Sequence, residues 1–234
     1  MAFKQFALNE RISVTIYKRK SSRSLKLSIA SDGTVKMSIP TWTPYQAGLA
    51  FAKSRLGWIE AQRQPPKHLS HGQAIGKAHH LHLVERPGAT SVKSRVMASE
   101  IYISHPGYMA ATDPKVQQAA ETASIKALRA QAEKLLPQRL AALAETHGFE
   151  YGSVTIKRLK GRWGSCDQNK NIVLNLFLME LPWDCIDYVL LHELTHTQIL
   201  RHGPDFWGAM AKVLPDLKRI RKEMRGHQPV LTTS

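Results

Sequence analysis

Cysteine is scarce in this chain: Cys166 and Cys185 are the only two in 234 residues. Two thiols so placed supply neither a disulfide framework nor a CxxC metal ribbon, which agrees with a reducing compartment. Long apolar runs are missing as well. No stretch approaches the roughly 18 to 20 apolar residues of a membrane span, and the opening MAFKQFALNER lacks the apolar run of a signal peptide. The expectation is a cytoplasmic protein with no membrane partner. There is no P-loop, no carboxylate cluster suited to magnesium, no repeat and no low-complexity segment. Nothing in the sequence bears on oligomeric state.

Acidic residues are also few, 18 Asp and Glu against 33 Lys and Arg, for a net charge of +15 and a pI near 10.0. Such an excess attracts polyanions, among them nucleic acid, nucleotides and ribosomes. The basic residues fall in separate clusters, Lys18-Arg19-Lys20, Lys157 to Arg162 and Lys218 to Arg225, each of which reads equally as a solvated face. With 43% hydrophobic residues the chain can bury a sizeable core, in one large or two small domains.

Residues 13–16, 24–29 and 34–39 alternate and are β-rich, with a basic turn between the first two and Ser31-Asp32-Gly33 before the third. This predicts an antiparallel meander. A helical pattern over 45–64 follows, containing Gly48 and Gly57 and stopped by Pro65-Pro66. Residues 79–84 and 96–103 read as strands, with His80 and His82 as surface histidines. Asp113-Pro114 is a strong helix start and Gly148 a fitting C-terminal cap, with Pro137 predicting a kink or a junction of two helices. Next come strands at 154–160 and 171–179, expected to pair antiparallel around the Gly161–Asp167 loop. The whole is α+β: a β-rich N-terminal part with one helix over 1–110, then a catalytic part over 111–234 that includes the long scaffold helix.

The chemistry concentrates in YVLLHELTHTQILRHGPDFW, Tyr188 to Trp207. It contains His192-Glu193-Leu194-Thr195-His196, an HExxH motif. Residues four apart share a helix face, so two imidazoles converge on one cation. Glu193, one residue after the first ligand, reaches a metal-bound water without occupying a coordination position, as a general base requires. Val189, Leu190, Leu191 and Leu194 are apolar and seat the helix in a core.

A catalytic zinc site takes three protein ligands and leaves the fourth position for water. His202 is preferred as the third. A continued helix would carry it about 280° round from His192, so the chain must leave the helix first, and Gly203-Pro204 places that exit near Leu200 to Gly203. The spacing is that of metzincins, but their turning glycine is Ile199 here and no methionine turn follows. Glu223, the only glutamate after the motif, is the rival ligand. On the substrate side, Asn175, Arg162 and Trp163 are candidate contacts, since an amide and a guanidinium can fix a main chain or an anion. Equally, Trp163 reads as a core anchor and Arg162 as a partner of Asp167.

These residues carry a resemblance. Arg162-Trp163-Gly164-Ser165-Cys166, the Leu174-Asn175 step, the helix Ile186 to His196 and His202 to Trp207 are similar to the YgjP-like metallopeptidase family of bacteria and archaea, over most of the chain. The resemblance implies a zincin-like catalytic domain, a small antiparallel sheet plus the HExxH helix. It also implies Zn2+ held by His192, His196 and His202, with Glu193 as base. Family members often carry asparagine before the third ligand, a residue that tolerates left-handed backbone; this chain has Arg201. The HGPxF step is also similar to SprT-like DNA-repair proteases, whose zinc ribbon has no counterpart here.

Three functional readings follow. A zinc metallopeptidase acting on peptide or protein, with Glu193 activating a zinc-bound water, comes first. A zinc-dependent hydrolase of nucleotide triphosphates at the phosphoanhydride is second, and a nucleic-acid or ribosome-binding module with structural zinc is third. The intact Glu193 disfavours the last, because a structural site has no need of a base.

Overall fold

The computed structural model describes residues 3–30, 33–62 and 68–231. The chain divides into two compact units, Met1–Lys67 and His68–Ser234. In the first, β1 (Phe3–Ala7), β2 (Ser13–Arg19), β3 (Lys26–Ile29) and β4 (Val35–Pro40) form one sheet in the order β1-β2-β4-β3. β2 and β4 run parallel, and β3 joins β4 from the outside. The expected meander therefore does not form. Side-chain burial explains why: β2 buries Val14 and Ile16, β4 buries Val35, Met37 and Ile39, and β3 buries none. The two most apolar strands take the centre of the sheet and the more polar ones its edges.

Two helices follow, α1 (Tyr45–Ser54) and α2 (Leu56–Gln62), where one was expected. Gly48 does not interrupt α1. A Cβ there would lie 3.3 Å from Ile16, Met37 and Ile39, so the glycine lets the helix settle close on the sheet. The Ser31-Asp32 part of the predicted turn and the Pro65-Pro66 stop lie outside the described residues.

The second unit begins with the same strand plan: β5 (Ala74–Ile75), β6 (His79–Glu85), β7 (Lys93–Val96) and β8 (Glu100–His105), ordered β5-β6-β8-β7 with β6 and β8 parallel. His80 is exposed, whereas His79 and His82 have partners. His82 Nε2 lies 2.5 Å from a Glu100 carboxylate oxygen, and buried His79 meets Gln131 and the Met97 carbonyl. The sheet is covered by α3 (Pro114–His147), capped as predicted: the Asp113 carboxylate accepts from the Lys115 amide at 2.8 Å, and Gly148 ends the helix at φ 69°. Pro137 sits within one element rather than between two. Fully buried Leu136 and Leu140 flank it, and their packing offsets the hydrogen bond the ring removes. Because α3 packs on β5–β8, the boundary expected at 110/111 falls inside the second unit.

A third sheet holds β9 (Val154–Lys157), β10 (Gly164–Cys166) and β11 (Ile172–Asn175) in the order β10-β11-β9. β11 pairs parallel with β9, so the antiparallel pairing expected between 154–160 and 171–179 does not form; the antiparallel neighbour of β11 is β10, the short strand inside the glycine loop. β11 stops at Asn175, whose Oδ1 accepts from the Phe177 amide at 3.2 Å and starts a 3-10 helix, Leu176–Glu180. Leu176 to Met179 are all buried, which a strand with one solvent face would not allow. Three helices complete the unit: α4 (Trp183–His196), α5 (Pro204–Val213) and α6 (Leu217–Met224). Arg139 of α3 clamps Asp187 of α4 through two hydrogen bonds of 2.8 and 2.6 Å. The architecture is α+β, and among the described residues no helix is long and apolar enough to cross a membrane.

Candidate metal centre

α4 buries Cys185, Ile186, Val189, Leu190, Leu191 and Leu194, which fixes its rotation and brings His192 and His196 to one face. The helix ends at His196, earlier than the exit expected near Leu200. Thr197 ends it by donating its hydroxyl to the Leu194 carbonyl at 2.8 Å, and the Ile199 carbonyl lies 3.1 Å from His196 Nδ1. Lys170 is the only non-glycine residue with positive φ among those described, so Arg201 needs no left-handed conformation. The segment returns His202 to the helix, and Pro204 then opens α5 in its first turn.

The three Nε2 atoms form a near-equilateral triangle: His192 to His196 3.2 Å, His196 to His202 3.1 Å, His192 to His202 2.9 Å. Ligands about 2.0–2.1 Å from a tetrahedral zinc stand roughly 3.3 Å apart, so the donor set fits that ion. With Nδ1 of His196 donating to Ile199, its Nε2 lone pair faces the centre. Burial first, then the neighbouring imidazoles, push His192 down to about 3, and burial likewise lowers His196; both shifts favour the neutral form that ligation requires. Fully buried Phe206 forms the floor, its ring centroid 4.9, 4.6 and 4.8 Å from those of His192, His196 and His202. Trp207 stacks on His202 at 5.8 Å and carries the Arg221 guanidinium at 3.8 Å. Glu223 does not join the three histidines; it groups instead with Cys185 and His227.

Glu193 is 5% exposed and lies against β10. A Cβ on Gly164 would stand 2.7 Å from its Oε1 and 2.9 Å from its Cγ, closer than real contacts allow. Only glycine at 164 leaves room for the carboxylate, a role the sequence did not disclose although the Gly-Ser-Cys step was visible. Burial pushes Glu193 up to about 8, opposed by the charge of exposed Arg162. Cys166, on the same strand, is held up at about 11 by burial and by Glu193.

The predicted substrate contacts separate. Asn175 is fully buried; its Nδ2 donates to the carbonyls of Leu159 and Arg162 at 3.0 and 2.9 Å while Oδ1 serves Phe177. Its side-chain amide is thus engaged in holding the loop. Trp163 packs on the main core, and its carbonyl accepts from the Asn175 amide at 2.8 Å. Arg162 alone of the three is exposed. Asp167 is taken up by the amides of Asn169 and Asn171, both at 2.9 Å, and not by Arg162. The basic clusters are partly used internally as well: Arg219 holds Asp184 and Asp216, and Arg158 holds Glu121.

An HExxH helix, a third histidine brought back by the following turn and a small sheet against the glutamate define a zincin-type site. A family model described as the YgjP-like metallopeptidase domain matches residues 23–227, and the chain belongs to that family. Comparison with curated proteins finds no match. Among solved structures, the metallopeptidase zymogen of Pyrococcus abyssi abylysin is similar at 24% identity and a TM-score of 0.37, over 42% of this chain and 100% of that one.

Proposed function

We propose that this chain is a zinc-dependent peptidase in which His192, His196 and His202 hold the ion and Glu193 is the general base. The observation that carries the reading is the triangle of Nε2 atoms, 2.9 to 3.2 Å on a side, next to a buried glutamate that offers it no ligand. Held by the three imidazoles, zinc would supply a Lewis acid for a scissile carbonyl and would lower the pKa of water toward about 7. Glu193 takes a proton from the attacking water and delivers it to the leaving amine. β10 has β11 on one side and no strand on the other among the described residues, so an extended peptide can add to it through main-chain hydrogen bonds beside Glu193. Arg162, exposed just before β10, would steer the acidic groups of a substrate toward this edge.

The test is metal analysis of the purified protein together with turnover of an unstructured protein, peptide libraries and a nucleotide panel, with Glu193→Gln as the blank. About one zinc in the histidine site and peptide cleavage abolished by the substitution is the expected result. Turnover of nucleotides alone would replace the peptidase reading with the phosphoanhydride one.

A further inference from the structure

Seven residues before His192, at the other end of the same helix, a second group of donors converges. Cys185 lies in the first turns of α4 and is fully buried, Glu223 lies in the last turn of α6, and His227 follows that helix. One ligand atom of each, a sulfur, a carboxylate oxygen and a ring nitrogen, lies within 4.8 Å of the other two. The three come from places 38 and 4 residues apart in sequence, and the packing of α6 on α4 brings them together.

We infer that Cys185, Glu223 and His227 form a second binding site for a borderline-soft divalent cation, zinc by the chemistry of its donors, separate from the three-histidine centre. A mixed thiolate, carboxylate and imidazole set suits zinc and not magnesium or calcium, which take oxygen donors. The donors are engaged with other partners only weakly. Arg219 contacts Glu223 at 3.5 Å but holds Asp184 and Asp216 more closely, at 3.0 and 3.1 Å, so the Glu223 carboxylate is the one it most easily yields. The thiol is protonated in the absence of a cation, held up at about 11 by burial and by Glu223; ligation replaces that proton, so one proton leaves for each cation bound. Seven residues of helix span about 10.5 Å, against the 3.5–4 Å between partners in two-metal catalysis, so this cation takes no part in the chemistry at Glu193. It ties the end of α6 to the start of α4. Because Arg221 of α6 lies over Trp207, which stacks on His202, the clamp fixes the helix that supports the third histidine.

The inference stands apart from the peptidase reading and is tested apart from it. Full-length protein is stripped with a chelator, reloaded with zinc or with cobalt(II), and assayed for bound metal and for the near-ultraviolet charge-transfer absorption that a thiolate ligand gives cobalt. Wild type should bind two equivalents and show the band. His196→Ala should retain a cation and the band, because its loss affects only the all-imidazole site. Cys185→Ser and His227→Ala should each bind one equivalent without the band, and Cys166→Ser should keep it. Partly exposed His227 supplies the decisive variant if Cys185→Ser fails to fold. One equivalent in wild type with no thiolate band, or a His196→Ala protein that binds no cation, would overturn the site. Either result leaves the three-histidine centre untouched.

Discussion

Glu193 is held between two parts of the molecule that position it in different ways. On one side α4 sets its place by helical spacing: the carboxylate follows His192 directly, and His196 is one turn on. On the other side β10 sets it by absence, through a glycine whose missing Cβ would stand 2.7 Å from Oε1. The helix side supplies ligands and base, and its geometry follows from residues near in sequence. The sheet side supplies only space and an edge, and depends on Asn175 holding the carbonyls of Leu159 and Arg162. A site can therefore lose its function from the side that contains none of its chemistry.

Breaking the helix side should have the largest effect. Glu193→Gln keeps the side chain's shape and removes the base, and kcat on a peptide substrate should fall by about 10²–10⁴-fold with zinc content unchanged. Retained turnover would remove Glu193 from the base role. Removing His202 instead should weaken zinc binding at the three-histidine site, read as loss of metal on dialysis against a mild chelator; affinity equal to wild type would eliminate it as third ligand.

The sheet side breaks through Gly164→Ala. The added methyl must displace the Glu193 carboxylate or the strand, at a cost of about 1–3 kcal/mol for an overpacked position. We expect a loss of kcat with full zinc content, a pattern that separates crowding of the base from loss of the metal. Asn175→Ala should act on stability, because it leaves the Leu159 and Arg162 carbonyls and the Phe177 amide without their partner inside the fold. A lowering of about 1–3 kcal/mol in denaturant unfolding is expected, and a raised KM at unchanged stability would return Asn175 to substrate binding.

In the metal-free chain, pH tests the burial of Glu193 directly. Burial raises Glu193 from its ordinary 4.5 to about 8. Between those values the folded state holds a proton that the unfolded state has released, so folding stability is full below about pH 4.5 and falls as pH rises toward 8. The fall approaches about 1.4 kcal/mol per pH unit, a few kcal/mol in all. Glu193→Gln should abolish this slope, and an identical slope in the variant would assign it to another group.

The resolved differences between expectation and structure follow from range. The caps of α3 at Asp113 and Gly148, the HExxH face and the return of the chain before Pro204 depend on a few neighbouring residues, and each was legible in the sequence. The order of the strands was not. β2 pairs with β4 and passes over β3, because which strand takes a sheet's centre is decided by the total apolar load of distant segments, and alternation alone reports only that a strand exists. The same limit hid the end of β11, where four consecutive buried residues turn into a 3-10 helix.

By itself, then, the sequence determined the donors and their spacing: two imidazoles and a carboxylate on one helix face, and a third imidazole within reach once that helix ends. Hydrogen-bonded helices are built from contacts three or four residues apart, so such a pattern is complete within one segment. Only the tertiary structure decided what surrounds them. Gly164 as the space for the base, Asn175 as the support of the loop, Phe206 as the floor of the histidines and Glu223 beside Cys185 rather than His192 all depend on segments that meet through packing. Close-packed cores fix such meetings by the volumes of side chains far apart in the chain, and no local pattern encodes them.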